Sequence, residues 1–223
     1  MRLVAAVVAV PVLLFAWQAW KTHSLEQRLQ PVASGVAGRP VEVDCQSFLG
    51  SLIDAQAREG EVQFDAAGNP QPKLFLTRST CGRLRDFAGR AHHSELDCLA
   101  GIEGQASSPL SFDSPCYASA ADTIYAVLTL AHEAYHTAGV QDESLTNCYA
   151  IQAMAWTAEQ LGAPAGESEL LARAMETLEP AQDFPYGTND CHAGGRLDLH
   201  PETPDFPTEH PTMAPRGATA RGT

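Results

Sequence analysis

The chain has 223 residues, 27 of them acidic and 14 basic, for a formal charge of −13. That length suits one domain with a sizeable core and flanking segments rather than two domains. The acidic balance, with no run of five basic residues, argues against nucleic acid as a partner. The N-terminus opens with an apolar run, Leu3 to Trp20, interrupted only by Gln18 and flanked by Arg2 and Lys21. Eighteen residues is the lower limit for crossing a bilayer, and Trp17 and Trp20 suit its interface. No small-x-small cleavage pair follows the run directly. Residues 1–20 are therefore expected to be an uncleaved signal anchor, with a cleaved signal peptide as the alternative. Residues 21–40 are polar, small and punctuated by Pro and Gly, as in a stalk. Residues 41–199 read as the folded domain, and residues 200–223 as a disordered Pro-rich tail.

Either N-terminal reading exports the domain, to a cell membrane facing outward or to a secreted form. Six cysteines, Cys45, Cys81, Cys98, Cys116, Cys148 and Cys191, agree with export, since an even number without a CxxC pair reads as three disulfides. Cys98 and Cys116 lie nearest in sequence and are the first pair to expect.

Within the domain, Phe48, Leu49, Leu52 and Ile53 recur at helical spacing. "EVQFDAAGNPQPKLFLT" holds two apolar-rich runs around a Gly-Asn-Pro turn, a candidate hairpin. "CGRLRDFAGR" suggests a short helix, and residues 94–118 read mostly as loop. The strongest helical stretch is "SAADTIYAVLTLAHEAYHTAG", with Ile124, Val127, Leu128 and Ala131 on one stripe and Gly139 as its stop. A second helix is expected from Asp142, a good N-cap with Glu143 in the first turn, to about Leu161. A third covers "ESELLARAMETLEP".

The first of these helices carries His132-Glu133-Ala134-Tyr135-His136. Residues four apart share a helix face, so His132 and His136 can offer imidazole nitrogens to one metal ion. Glu133 is close enough to take a proton from a water that zinc has acidified, without itself ligating. This is the HExxH arrangement of zinc-dependent peptidases. Tyr135 points to the other side of the helix and is expected in the core. His92-His93 with Glu95 and Asp97 is a weaker metal candidate, better read as a solvated loop. Cys191-His192 with Gly194-Gly195 could return His192 or Tyr186 to the cleft, or could be a disulfide-pinned surface turn.

Two residues compete to be the third ligand. "HEAYHTAGVQD" resembles the metzincin pattern HExxHxxGxxD, which would make it Asp142. The residues after Asp142 look like continuous helix, however, and no Met-turn is evident. The alternative resembles the gluzincins, in which a Glu on a following helix completes the site; here that is Glu143. Resemblance to thermolysin-type gluzincins also gives a supporting role to the residue four after the ligand. That is Asn147, whose oxygen can accept an N–H bond from a ligand His. The interval from His136 to Glu143 is much shorter than in those enzymes. Glu143 is preferred because helix capping already accounts for Asp142. The longer string "HEAYHTAGVQDESLTNCYAIQ", followed by "CHAGGRLDLHP", resembles a group of membrane-anchored metallopeptidase-like proteins of high-GC bacteria over about residues 45–203. That resemblance implies an extracytoplasmic zincin-like domain and no particular substrate.

The expected fold is α+β and mainly helical: a zincin-like domain with the HExxH helix packed on a following helix, a small β-hairpin and disulfide staples. The expected function is a zinc metallopeptidase acting on a protein or peptide substrate, with Zn2+ held by His132, His136 and Glu143 and with Glu133 as general base. One alternative is a non-catalytic binding or structural module that retains the zinc. Another is a disulfide-rich domain without metal.

Overall fold

The apolar N-terminal run and the segment after it form one helix, α1 (Arg2–Ala37), in the computed structural model. The structure describes residues 2–46, 60–90, 92–100, 113–178, 185–203 and 206–207, with side chains from residue 16 onward. Residues 21–37 are therefore not a stalk. Leu25, Leu29, Val32, Ala33 and Val36 recur at helical spacing, and all are buried in the core. Glu26 accepts the Cys45 N–H at 2.9 Å, and Arg28 donates to the Leu161 carbonyl at 2.7 Å. Gly35 permits close packing, since a Cβ there would sit 2.3 Å from the Trp156 ring. Among the described residues, no helix is long and apolar enough to cross a membrane.

The sheet has the order β1-β3-β2, with β1 (Glu42–Cys45), β2 (Gly60–Phe64) and β3 (Pro70–Leu76). The hairpin expected from sequence is β2 with β3, paired antiparallel. Strand β1, which no sequence signal set apart, pairs with β3 in parallel. Val43, Cys45, Val62, Leu74 and Leu76 are buried, whereas Lys73 reaches Glu42 and Asp44 by ion pairs. The sheet thus has one apolar and one charged face, the alternation that a half-buried sheet requires. The expected helix around Phe48, Leu49, Leu52 and Ile53 lies outside the described residues.

Helix α2 (Arg78–Ala88) is capped by Thr77, whose side chain accepts the Thr80 N–H at 3.2 Å. Residues 94–100 are not loop. A 3-10 turn (Ser94–Leu96) leads into the short α3 (Asp97–Ala100), with Leu96 and Leu99 buried. Helix α4 (Pro115–Thr137) starts earlier than expected, because Ser114 caps it and Pro115 occupies its first turn. From Leu130 to Thr137 it is buried on every side, as befits the central element of the core.

The next helical stretch divides in two, α5 (Glu143–Gln152) and α6 (Met154–Leu161). At the break, the Gln152 side chain donates to the Cys148 carbonyl, competing with the backbone ladder for that acceptor. Helix α7 (Ala165–Leu178) follows Gly162, which closes α6 with a φ of 107°. Phe206, in the expected tail, is buried, while residues from 208 onward lie outside the described set.

Three disulfides staple these elements: Cys45–Cys81, Cys98–Cys116 and Cys148–Cys191. No free cysteine remains. The pair nearest in sequence is bridged, as expected. The third bridge matters most for the site, because it ties α5 to the segment 185–200.

Candidate metal centre

Helix α4 ends one residue after His136, and its ending positions that histidine. Gly139 has a φ of 103°, which only glycine adopts without strain. Its N–H bonds the His136 carbonyl at 3.0 Å, and the Val140 N–H bonds the Tyr135 carbonyl at 3.2 Å. These are the two bonds of a Schellman cap, with Val140 and Tyr135 both buried against the core. The cap turns the Val140 carbonyl back, where it accepts His136 Nδ1–H at 2.6 Å. A carbonyl only accepts, so in the neutral ring the proton sits on Nδ1 and Nε2 is left bare.

Three residues later the chain starts α5. Asp142 caps it, its Oδ1 accepting both the Leu145 N–H and the Ser144 hydroxyl at 2.9 Å. That carboxylate is turned to its own helix. Glu143, in the first turn, brings Oε2 to 3.0 Å from His132 Nε2 and 3.3 Å from His136 Nε2. The two Nε2 atoms are themselves 3.0 Å apart. Of the two candidate third ligands, then, Glu143 joins the histidines, and the three could hold a metal ion.

The fit can be tested on size and on chemistry. A tetrahedral ion with bonds of about 2.0–2.1 Å keeps its ligand atoms about 3.3–3.4 Å apart. The observed triangle is within a few tenths of an ångström of that. His132 is held from behind by a hydrogen bond with the Asn147 side chain. The Asn147 amide in turn donates to the Tyr186 carbonyl at 3.3 Å, which leaves its oxygen for the histidine. Three atoms that can each offer a lone pair therefore converge on one point, a donor set that could hold a metal ion.

The protonation behaviour follows from the same crowding. Burial pushes His132 down, against the opposing bond to Glu143. Burial also works against a charge on His136, but Glu143, Glu133 and the Val140 carbonyl outweigh it and raise that group. Both histidines hold the Glu143 carboxyl well below the usual carboxylate range. The histidine side chains are about one-tenth exposed and that of Glu143 is 37% exposed, so the centre opens to solvent on the α5 side.

Glu133 is buried beside the triad and does not belong to it. It lies under the first residue of the edge strand: a Cβ on Gly60 would sit 2.5 Å from Glu133 Cγ and 2.8 Å from Oε1. Glycine is required there by close approach. Further along the same strand, the Phe64 ring meets His136 edge-on at 6.4 Å. Sequence reasoning missed both residues, because nothing local connects a strand to a helix some seventy positions on. Of the two candidates from the Cys191 turn, Tyr186 places its ring 6.0 Å from His132. His192 is exposed and bonds the adjacent Ala193 carbonyl.

In the His92-His93 segment His92 is exposed, as expected of a loop, but His93 is not, and among the described residues the segment does not gather into a metal-ligating group. His93 is fully buried, stacked on Phe87 at 4.1 Å, and bonded to Glu167 and to the Phe87 carbonyl. Tyr135 is wholly buried, as expected. Comparison of the chain with protein-family models, with curated proteins and with solved structures finds no match.

Proposed function

We propose that the chain is an extracytoplasmic zinc-dependent peptidase of the HExxH type. The observation that carries this reading is the convergence of His132, His136 and Glu143 on one point, with the carboxylate of Glu133 buried next to them and outside the ligand set. Two imidazoles and a carboxylate suit zinc, and three protein ligands leave a fourth position open, as catalysis requires. Zinc held there would polarise a carbonyl and lower the pKa of water toward about 7.

The protein's own contributions are positional. The Val140 carbonyl and Asn147 fix the ring orientation of His136 and His132. Glu133 accepts the proton of the attacking water and returns it to the departing amine. Gly60 lets the edge strand close over Glu133 and limits its freedom. Among the described residues strand β2 pairs on one side only, so an extended peptide could lie along its other side, beside the triad. The three disulfides support an oxidising compartment. The apolar run before Lys21 supports a membrane anchor or export signal.

The test is metal analysis and peptide hydrolysis on the oxidised protein. The wild type should hold about one zinc per chain and cleave peptides, and Glu133→Gln should keep the zinc while losing hydrolysis. A zinc-loaded wild type that cleaves no member of a broad peptide library would instead favour a binding module. A metal-free protein with its disulfides intact would end the zincin reading.

A further inference from the structure

The peptidase reading leaves the substrate open, and the surface around the triad narrows it. Among the described residues, the exposed large hydrophobic side chains are Trp17, Trp20, Phe64 and Tyr186. The two tryptophans belong to α1, ahead of Leu25, where that helix enters the core. The other two stand at the metal centre, one beside each histidine. Phe64 lies 6.4 Å from His136, Tyr186 lies 6.0 Å from His132, and the two imidazoles are 4.6 Å apart. They are 37% and 44% exposed. Large apolar surface left in water at a cleft is informative, because folding alone would cover it.

Both rings are held in place. Regular alternation would put Phe64 on the same face of β2 as Val62, yet Val62 is buried and Phe64 is not. The register slips between them: Val62 pairs with Leu74, but Phe64 pairs with Pro70. An irregularity of this kind re-aims a side chain at the end of a strand. The hairpin turn is then tied down, as Gln141 donates to the Gly68 carbonyl at 2.8 Å. On the other side, Asn147 holds the Tyr186 carbonyl, Cys148–Cys191 bridges α5 to the same segment, and Gln152 bonds the Leu197 carbonyl and the Leu199 N–H. On that segment, Asp190 and Arg196 are paired with each other.

We propose that Phe64 and Tyr186 are the two specificity walls of the site, each packing on an apolar or aromatic side chain of a peptide, one on either side of the bond that lies over His132, His136 and Glu143. The substrate class is therefore a peptide with large apolar residues flanking the scissile bond. Preorganised rings favour such side chains at little ordering cost.

The experiment uses the full-length, zinc-loaded Glu133→Gln protein, which should bind peptides without cutting them. Isothermal titration compares short peptides bearing Phe or Leu at both central positions with peptides bearing Glu or Lys there. The apolar pair should bind on the order of ten-fold more tightly. Phe64→Ala and Tyr186→Ala should each remove most of that preference at one central position, and not the same one, with zinc content unchanged. Phe64→Leu should retain most of it. In the wild-type background the same variants should shift KM more than kcat. Equal binding of apolar and charged peptides, or a preference that survives both alanine variants, would overturn the proposal. Failure of hydrolysis with the binding pattern intact would count against the peptidase reading alone.

Discussion

Two clusters in this molecule use the same parts, two histidines and one glutamate from the first turn of a later helix, and they do opposite things. In the first, His132 and His136 are four apart on α4, and their Nε2 atoms meet at a single oxygen of Glu143. In the second, His92 and His93 are adjacent, and their Nδ1 atoms take different oxygens of Glu167, at 2.7 and 2.5 Å. The remaining nitrogens there are also engaged, that of His93 by the Phe87 carbonyl and that of His92 by Asp97 at 3.4 Å. Helical spacing makes lone pairs converge on one point; adjacent residues spread them, and each finds its own partner. The first arrangement could hold a metal ion, and the second is a clasp joining the end of α2 to the start of α7.

The largest effects should separate the two clusters outright. His132→Ala or His136→Ala should abolish metal binding, because the two remaining ligands rarely hold the ion. His93→Ala should leave metal stoichiometry unchanged and lower stability by about 1–3 kcal/mol, the scale of a buried partner left unsatisfied. Metal analysis and denaturant titration on the same samples check both. Loss of metal from the His93 variant would break the comparison.

Next in size is the effect through Glu133, a carboxylate buried beside the first cluster without joining it. Gly60→Ala would drive a methyl into Glu133, so it should cut hydrolysis on the order of 10²-fold with zinc retained. Ligand identity is sharpened by a pair of variants. Glu143→Gln should weaken zinc affinity sharply, whereas Asp142→Asn should not, since Asn caps a helix about as well as Asp. Asn147→Ala should cost about 10- to 100-fold in affinity or activity, by freeing the His132 ring. Competition with a chromophoric chelator measures all three.

The contrast also explains how much could be read from sequence. Local rules are enough to bring the first cluster together: HExxH spacing, a glycine stop and an Asp cap imply that His132, His136 and Glu143 meet. The Schellman cap at Gly139 is why local rules suffice there, because it fixes the turn between the two helices using only neighbouring residues. The clasp was misread because its glutamate comes from Glu167, and nothing in the string around His92 announces a partner that distant. The same blindness hid Gly60 and Phe64, which meet α4 only through sheet pairing. Residues 21–37 failed for another reason. Their apolar stripe has the helical period, but Pro31, Gly35 and the interleaved polar residues give the segment the composition of a linker. Pairing of β1 with β3 left no trace, since parallel partners need no local turn.

The smallest expected effect comes from titrating the clasp. Burial works against the charge on Glu167, but its bonds to His93 and His92 outweigh that and hold its carboxyl below the ordinary 4.5. His92 is raised above the ordinary 6.5, first by its bond to Glu167 and then by the charge of Asp97. The lowered Glu167 contributes stability that is fully present above pH 4.5 and is lost as pH falls through its folded value. The raised His92 contributes stability that is fully present below pH 6.5 and is lost as pH rises through its folded value. Both act together only between those limits. The melting temperatures of wild type and Glu167→Gln should therefore differ most near about pH 5.5, on the order of a few degrees, and converge toward acid and alkaline pH. His92 is well exposed, so added salt should shrink its share of the difference. A gap of constant size across the range would mean that the clasp holds by packing on Phe87 rather than by charge. The two histidine clusters would then differ in more than the direction of their lone pairs.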